Sequence, residues 1–337
     1  MTMQPSSIGS VEPTYDAHND RVKGFCGSVI ADPDAATTFI EEARRLRDAN
    51  HASRLSVRFV TNYPLTATPR KRVQIDYEPA RPSGIWAPQP EFYTEFYLNG
   101  FETHPIPLSG SGWDGFWVQY FGENKKERIE PENILRQEDS IIAESLRTAK
   151  QTDPTSKAGR NGYRIETARG VRSDQDVRNL TQLYNTVYQE YVFPLTEQNV
   201  AGLVQNPNSI TVLARNGNDE IASVAVAEVM EIPTDRGLLR ISEISDEATH
   251  PDHTRNGLNQ ACVHTATEEL LKLYGDGVHL VYAENRAVSR GVNQQSANLG
   301  WIYAGRLNRP VRIKAASDIE VEGSYEDLNV WYNLLRK

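Results

Sequence analysis

The chain has 337 residues, of which 39% are hydrophobic and 24% are charged, and its 36 basic and 45 acidic side chains give a net charge of −9. This composition is typical of a folded globular protein and excludes wholesale disorder. The acidic balance argues against a protein that coats nucleic acid, because phosphate binding needs a concentrated basic surface.

Membrane and secretion signals are not evident in the sequence. It has no apolar run of the ~18 residues that span a bilayer, and residues 1–20 contain no apolar signal-peptide core. Cys26 and Cys262 form no CxxC pair and cannot build a disulfide framework. We therefore expect a reduced, cytoplasmic protein that binds neither membrane nor DNA.

The first half of the chain predicts a small α/β block after a flexible tail at 1–20. Apolar spacing predicts a strand at 21–30, a helix at 35–49, a strand at 55–60, an aromatic helix at 91–98 and a strand at 116–121. A helix at 131–150 follows, and the polar run at 151–162 is interpreted as a linker. The expected divisions are a domain at 21–125, a helix and linker at 126–161 and a second domain at 162–337.

The second half predicts a longer α/β block. The other elements follow an Asn-Gly hairpin signal between strands at 209–215 and 220–232. They are a strand at 163–168, helix 174–191, strand 238–249, helix 258–273, strand 278–282, helix 288–299 and strands 301–306 and 328–334. The order helix, strand, glycine–aromatic pair, strand occurs in both halves. It predicts a duplication with a decayed first copy, and two unrelated α/β blocks are the alternative.

Residues 243–260 carry the chemistry, because an acidic strand leads through a short glycine-containing loop into a helix. A helix N-terminus presents unpaired N–H groups and a positive dipole end, which favour a phosphate. Many strand–loop–helix units share this feature, so it does not by itself identify a ligand.

Four separated segments of the second half resemble the GNAT acyltransferases, and among them the β-lysine N-acetyltransferases. They are Tyr188-Gln-Glu-Tyr-Val-Phe193-Pro194, Glu243-Ile-Ser-Asp246-Glu-Ala-Thr249-His-Pro251, Arg286-Ala-Val-Ser289-Arg-Gly291-Val-Asn293 and Glu326-Asp-Leu-Asn329-Val-Trp331-Tyr332. The resemblance covers about residues 162–337. It implies an α/β GNAT fold, with a mixed, mostly antiparallel central sheet flanked by helices, preceded by a degenerate GNAT-like unit.

The resemblance also implies an N-acyltransferase that uses acetyl-CoA or another acyl-CoA as donor. In that family, backbone N–H groups of the loop hold the pyrophosphate of CoA; here the loop residues are Thr254, Arg255, Asn256, Gly257, Leu258 and Asn259. Ala248 and Thr249 would pair with the pantetheine arm, and Asn293 would form a hydrogen bond with it. The acyl carbonyl lies against a strand N–H near a bulge, which acts as an oxyanion donor.

This sequence departs from the family pattern at three positions. Thr254 stands where the loop usually has Gln or Arg, although Arg255 is adjacent, and Asn259 stands where it usually has Gly or Ala. Ser296 replaces the usual tyrosine acid, so the sequence does not support protonation of the leaving thiolate by a tyrosine there.

Acylation of an amine needs a base, because the ammonium must lose a proton. Glu243 and Asp246 lie on the strand that the family uses for its base. A regular strand would point them to opposite faces, whereas a bulge near Ser245 would bring them together. We predict that Glu243 is the base, acting through water, and that Asp246 binds or helps to deprotonate the ammonium; one of them facing solvent is the alternative.

The predicted acceptor is a small molecule with a primary amine, such as an amino acid or a diamine. The residues predicted to line its site are Tyr188, Phe193, Glu247 and Arg286. His250 and His253 read as a surface turn, and we expect no metal. A bulkier acyl-CoA, an aminoacyl-tRNA held by the basic segment at 44–72, and a non-catalytic ligand-binding protein stay open as alternatives, and so does a homodimer.

Overall fold

The computed structural model describes residues 11–26, 33–61, 72–74, 84–86, 101–108, 113–121, 131–151, 153–168, 173–234, 237–274, 280–316, 325–333 and 335. The chain divides into two compact units. The first comprises residues 1–129, 231–239 and 304–310, and the second comprises residues 130–230, 240–303 and 311–337.

The first unit contains a five-stranded sheet and one helix in its described residues. Its elements are β1 (Val11–Asp16), β2 (Arg21–Cys26), α1 (Pro33–Ala49), β3 (Arg54–Thr61), β4 (Arg72–Gln74), β5 (Gly84–Trp86), β6 (Phe101–Leu108) and β7 (Trp113–Phe121). The strand order is β1-β2-β3-β7-β6, and β4 pairs separately with β5. β2 and β3 are parallel and α1 connects them, whereas β7 is antiparallel to both β3 and β6.

Part of the expected flexible tail is a strand. Asp16 closes the β1–β2 hairpin, since its carboxylate accepts hydrogen bonds from Asn19 Nδ2 at 2.9 Å and from Arg21 Nε at 3.0 Å. The predicted helix at 35–49 and the strands at 55–60 and 116–121 are confirmed. The predicted aromatic helix at 91–98 lies outside the described residues.

The remaining elements belong to the second unit, which is built on a seven-stranded sheet, except that residues 231–239 and 304–310 of three strands are grouped with the first unit. Its elements are α2 (Glu132–Thr148), α3 (Pro154–Arg160), β8 (Arg164–Ala168), α4 (Asp174–Val187), β9 (Tyr188–Glu190), α5 (Glu197–Val204), β10 (Ser209–Arg215), β11 (Ile221–Thr234), β12 (Gly237–Thr249), α6 (Leu258–Tyr274), β13 (Leu280–Arg286), α7 (Arg290–Asn298), β14 (Ile302–Arg312), β15 (Lys314–Ala315) and β16 (Tyr325–Asn333). The strand order is β14-β16-β13-β12-β11-β10-β8, and β15 pairs with β9. This mixed α/β architecture confirms the expected GNAT fold class.

Apolar side chains cover both faces of this sheet. Ala261, Cys262 and Leu270 of α6 belong to the core on one face, and Leu180 of α4 and Val200 of α5 to the core on the other. All seven residues of β10 are buried, which is why that strand reads as a nearly continuous apolar run rather than an alternating one.

A parallel strand pair lies at the centre of the sheet. β12 pairs with β13 from Ile241 with Leu280 to Ile244 with Ala283, and α6 makes the crossover between them. In the described residues the ladder ends there, although β12 continues to Thr249 and β13 to Arg286. The two strands therefore separate beyond Ile244.

Two predicted boundaries differ from the structure. The expected linker at 151–162 contains α3, because Asp153 accepts hydrogen bonds from the N–H groups of Thr155 and Ser156 and Pro154 occupies the first helical turn. The helix expected to run to residue 191 ends at Val187. The chain becomes extended there because β9 pairs with β15.

The two sheets have the same succession of elements. In each, a parallel pair joined by a helix (β2-α1-β3 and β12-α6-β13) has an antiparallel third strand beside it, β7 or β16. β1 and β11 flank the first strand of the pair, and β6 and β14 flank the third strand.

Candidate active site

Strand β12 is irregular at Asp246, whose φ is 50°. Ile244 packs in the core on the α6 face, and Ala248 packs in the core on the α4 face. Residues four apart in a regular strand would point to one face. The irregularity therefore places Glu243 and Asp246 on the same face, as the predicted bulge near Ser245 requires.

Asp246 is only 8% exposed and is held by hydroxyl groups. Its Oδ1 accepts a hydrogen bond from Tyr191 at 2.8 Å, and its Oδ2 accepts one from Ser245 at 2.7 Å. Burial raises the pKa of Asp246, and the charge of Glu243 adds to this effect, while the bonds from Ser245 and Tyr191 oppose it. The site thus contains a buried carboxyl that is poised to take up a proton.

Glu243 lies beside Asp246 and is half-buried. The hydroxyl of Tyr282, its partner in the parallel register of β13, donates to Glu243 Oε2 at 2.5 Å. Glu243 is therefore oriented from the neighbouring strand.

Four aromatic side chains stand beside Asp246. Tyr191 packs against Tyr188 with ring centroids 4.5 Å apart, against Phe193 at 5.1 Å and against Tyr184 at 6.1 Å. Burial and the charge of Asp246 raise the pKa of both Tyr184 and Tyr191, so their hydroxyls stay protonated and donate. Tyr188 and Phe193 had been predicted as acceptor-site residues; Tyr191, between them in the same motif, was not singled out.

Arg286, which is predicted to line the acceptor site, forms an ion pair. Its guanidinium makes a two-point ion pair with Glu326, Nε to Oε2 at 2.8 Å and Nη2 to Oε1 at 2.5 Å, and the side chains are 12% and 7% exposed. The pair with Glu326 holds the guanidinium in place through two of its nitrogens. A contact between Arg286 and the acceptor stays a prediction.

Glu247 faces the opposite side of β12, towards α6 and α7. Its Oε2 accepts hydrogen bonds from Asn259 Nδ2 and from Gln295 Nε2, the latter at 2.8 Å. This contact directs the side chain of Asn259, which replaces the usual Gly or Ala of the loop, towards strand β12. Burial raises the pKa of Glu247 to about 7.

The raised pKa of Glu247 predicts a pH-dependent stability. The folded state binds this proton more tightly than the unfolded state, whose pKa is near 4.5, so folding stability should fall as pH rises from about 4.5 to 7. Glu247→Gln should remove this penalty, and its stability relative to the wild type should grow across that window by at most about 1.4 kcal/mol per pH unit. Urea unfolding at several pH values measures the difference, with Glu268→Gln on the exposed face of α6 as control. A difference that does not vary with pH would refute the assignment.

The loop before α6 contains two left-handed residues, Arg255 at φ 66° and Gly257 at φ 73°. Asn256 braces it, since its Oδ1 accepts from Asn161 at 3.0 Å and its Nδ2 donates to the His253 carbonyl at 3.1 Å. Where left-handed and right-handed residues alternate, the backbone N–H groups point to the same side of the loop. Such a concave group of N–H donors can bind an anion.

Lys157 of α3 lies across this loop, and the sequence analysis did not predict it as a site residue. Its Nζ donates to the carbonyl of Arg255 at 3.2 Å, and its Cδ lies 3.3 Å from where a Cβ on Gly257 would stand. Lys157 has no carboxylate within 4.0 Å among the residues that the structure describes. It lies 98 residues before the loop in a segment that reads as a linker, so no local signal could have found it.

Asn293, which is predicted to form a hydrogen bond with the pantetheine arm, is bonded within the protein. Asn293 is fully buried; its Nδ2 donates to the carbonyls of Arg286 and Ser289, and its Oδ1 accepts from Asn329 and from Trp331 Nε1. Both donors and both acceptor positions of the amide are used. Asn293 therefore ties α7 to β13 and β16.

Ala248 and Thr249, predicted to pair with the pantetheine arm, close the bulged segment. The hydroxyl of Ser223 on β11 donates to the carbonyl of Ala248 at 2.9 Å and lies 2.8 Å from Thr249 Oγ1. These contacts hold the end of β12 to β11. They lie on the edge of β12 opposite to β13, from which β12 separates.

Cys262 and His253 are two further side chains with chemical potential. Burial raises the pKa of the Cys262 thiol to about 12, which keeps it protonated. Nδ1 of His253 lies 3.0 Å from the hydroxyl of Tyr163, and the described part of the chain contains no cluster of three metal-ligating side chains. No helix within the described ranges is long and apolar enough to cross a membrane.

A curated acetyltransferase resembles about half of this chain in sequence. No family model matches the chain. The beta-lysine N(6)-acetyltransferase of Methanococcus maripaludis is 22% identical over 165 residues, which cover 49% of this chain and 53% of that protein. The chain thus spans about half the length of this curated relative.

Solved structures with similar folds include two acetyltransferases. Arabidopsis thaliana NAA60 in complex with acetyl-CoA is 12% identical, with a TM-score of 0.39, over 51% of this chain and 98% of that chain. The ribosomal-protein-S18-alanine N-acetyltransferase of Escherichia coli is 18% identical, with a TM-score of 0.37, over 50% and 92%. The chain is thus similar in sequence to an N-acetyltransferase over about half its length, in agreement with the resemblance of its four motifs to the GNAT N-acyltransferases.

Proposed function

We propose that this protein transfers an acyl group, in the first instance acetyl, from acyl-CoA to the primary amine of a small amino acid or diamine. The observation that carries the proposal is the bulge at Asp246, which sets two carboxyls on one face beside an aromatic cluster. The curated relative, an acetyltransferase of β-lysine, supports the same class of acceptor.

The acceptor would bind on the α4 face of β12. Tyr188, Tyr191 and Phe193 supply aromatic rings, and rings attract an ammonium through their faces. Glu243 and Asp246 supply negative charge and proton acceptors. One of them removes the ammonium proton directly or through one water, which frees the nitrogen lone pair to attack.

The donor would bind where β12 and β13 separate, with its phosphates at the loop before α6. Gly257 permits close approach of the backbone because it has no Cβ and a positive φ. Lys157 supplies a cation at the same place, which compensates for the missing Gln or Arg at Thr254. The donor supplies the thioester carbonyl; transfer is direct, since the Cys262 thiol is buried and protonated.

The first unit would be a degenerate copy that binds no donor. Its helix α1 begins at Pro33, which has no backbone N–H to offer, and Asp32 and Asp34 place two carboxylates in the same segment. These charges would repel a phosphate. We propose that this unit supports the catalytic unit and its choice of acceptor.

A direct test is to incubate the full chain with acetyl-CoA and a panel of amines and to follow thiol release and product mass. The panel should contain β-lysine, α-lysine and unbranched diamines, each beside its N-blocked form. Transfer to free amines alone supports the proposal. Release of the thiol by hydrolysis of acetyl-CoA without an acylated amine, or no transfer to any amine, would contradict it.

Lys157→Ala should weaken CoA binding by about 3- to 10-fold, or roughly 0.7–1.4 kcal/mol, because one cation is lost from the phosphate site. Arg160→Ala is the matched control, since it removes a charge from the same helix at an exposed position. Pantetheine lacks the pyrophosphate, so its affinity should not change. Equal losses in both variants would indicate a general effect of charge.

A further inference from the structure

We propose that Glu228 accepts, through the hydroxyl of Ser245, the proton that reaches Asp246 from the acceptor, and passes it to solvent. This inference rests on the proposed amine acylation and adds a residue of β11 that acts through two others. Glu228 has no place in the four motifs, so nothing in the sequence marked it.

The geometry of Ser245 requires a shared proton. Its Oγ lies 2.7 Å from Asp246 Oδ2 and 3.0 Å from Glu228 Oε1. A hydroxyl has one hydrogen and donates to one carboxyl at a time. When Ser245 donates to one carboxyl, its contact with the other carboxyl is a hydrogen bond only if that other carboxyl carries a proton and donates it to the serine oxygen. The pair Glu228 and Asp246 therefore holds one proton, and Ser245 lies between them.

The two ends of this chain of hydrogen bonds differ in burial. Asp246 is 8% exposed, whereas Glu228 is more exposed, so Glu228 is the end nearer to solvent. Ser209 stands directly opposite Glu228 in the β10–β11 register and is 2% exposed. Its hydroxyl has no partner among the described residues. A buried hydroxyl of this kind is satisfied by a small polar molecule, which would lie beside Glu228.

The reaction itself calls for such a path. The acceptor ammonium loses one proton before attack and the nitrogen loses a second after it, while the leaving thiolate takes up only one. One proton must therefore reach solvent in each turnover, and a buried Asp246 has to be deprotonated again.

The steps balance in atoms and charge. The cycle starts from the form of the pair in which Glu228 holds the shared proton and Asp246 is ionised. The ammonium proton reaches Asp246, with Glu243 as the first acceptor, and Glu228 then releases its own proton to water. The Asp246 O–H bond breaks as the Ser245 oxygen takes that hydrogen, and the Ser245 hydrogen moves to Glu228. Ser245 is unchanged, and both carboxyls return to their starting states.

Carboxyl and hydroxyl side chains from several elements face Asp246. They are Glu228 from β11, Glu243 and Ser245 from β12, Tyr184 from α4, and Tyr188 and Tyr191 after it. Tyr282 of β13 faces Glu243. Burial raises the pKa of Asp246, and the hydrogen bonds from Ser245 and Tyr191 oppose this rise.

The first test needs no acceptor. In full-length protein labelled at carboxyl carbons, the Asp246 resonance should titrate in two steps, because one of them follows Glu228. Glu228→Gln should leave one step. Ser242→Ala is the matched control, since that hydroxyl bonds to the backbone carbonyl of Glu228 rather than to its carboxyl, and it should keep two steps. A single step in the wild type would overturn the shared proton whether or not the protein transfers acyl groups.

The second test uses the acylation assay. Glu228→Gln keeps a donor towards Asp246 but cannot carry the proton, so kcat should fall roughly 10-fold with unchanged KM and CoA affinity. Added imidazole should restore the rate in proportion to its concentration, and Glu228→Asp should retain more activity than Glu228→Gln. A wild-type rate in Glu228→Gln, or a loss that imidazole does not restore, would overturn the relay. Absence of transfer by the wild type would instead contradict the proposed function.

Discussion

Glu243→Gln should lower the acylation rate by roughly 10²- to 10⁴-fold while leaving CoA affinity unchanged, because the amide keeps the size of the side chain but cannot take up a proton. The amide oxygen of this variant can still accept the hydrogen bond from the hydroxyl of Tyr282, so the local structure should persist. Asp246→Asn should also lower the rate, since Asp246 lies on the same face of the bulged strand. Steady-state kinetics at saturating donor measure both effects, and Glu268→Gln is the control for a change of net charge.

The comparison of the two variants assigns the roles. If Asp246→Asn is inactive and Glu243→Gln is not, Asp246 is the base and Glu243 positions the acceptor. Full activity in both variants would mean that neither carboxyl deprotonates the amine, and the proposed chemistry of this face would be wrong.

Gly257→Ala should weaken CoA binding by at least ~10-fold, or about 1.4 kcal/mol. A Cβ at this position would meet Lys157 at 3.3 Å and would stand where the phosphates must approach the backbone. Calorimetric titration of folded variants measures the affinity.

Gly162→Ala separates this effect from backbone strain. Gly162 has a φ of +80°, close to the +73° of Gly257, and a Cβ there would meet nothing within 4 Å. Both variants should lose about 1–2 kcal/mol of stability from the left-handed backbone, and only Gly257→Ala should lose affinity. Equal affinities in the wild type and Gly257→Ala would remove the loop from the donor site.

The central strands, helices and loop could be predicted because their signals are local. Asn216-Gly217 predicts the β10–β11 hairpin, and the apolar spacing after Gly257 predicts α6. The bulge near Ser245 was also predictable, because two carboxyls three residues apart can share a face of a strand only through an irregularity.

The remaining features depend on contacts between distant parts of the chain. The ion pair of Arg286 forms because β16 brings Glu326 to it, and the amide oxygen of Asn293 is bonded because Asn329 and Trp331 reach it. Lys157 reaches the loop only because Asp153 turns a polar run into a helix. Tertiary contacts of this kind leave no local pattern in the sequence.

The central claim is that the second unit holds one acyl-CoA donor at the loop before α6. Calorimetric titration of the full chain with CoA tests it most directly, because it needs no knowledge of the acceptor. We expect one site per chain in the wild type and a matching loss of affinity in Gly257→Ala and, to a lesser extent, in Lys157→Ala. Two equivalent sites per chain, or no heat of binding with the wild type, would contradict this account.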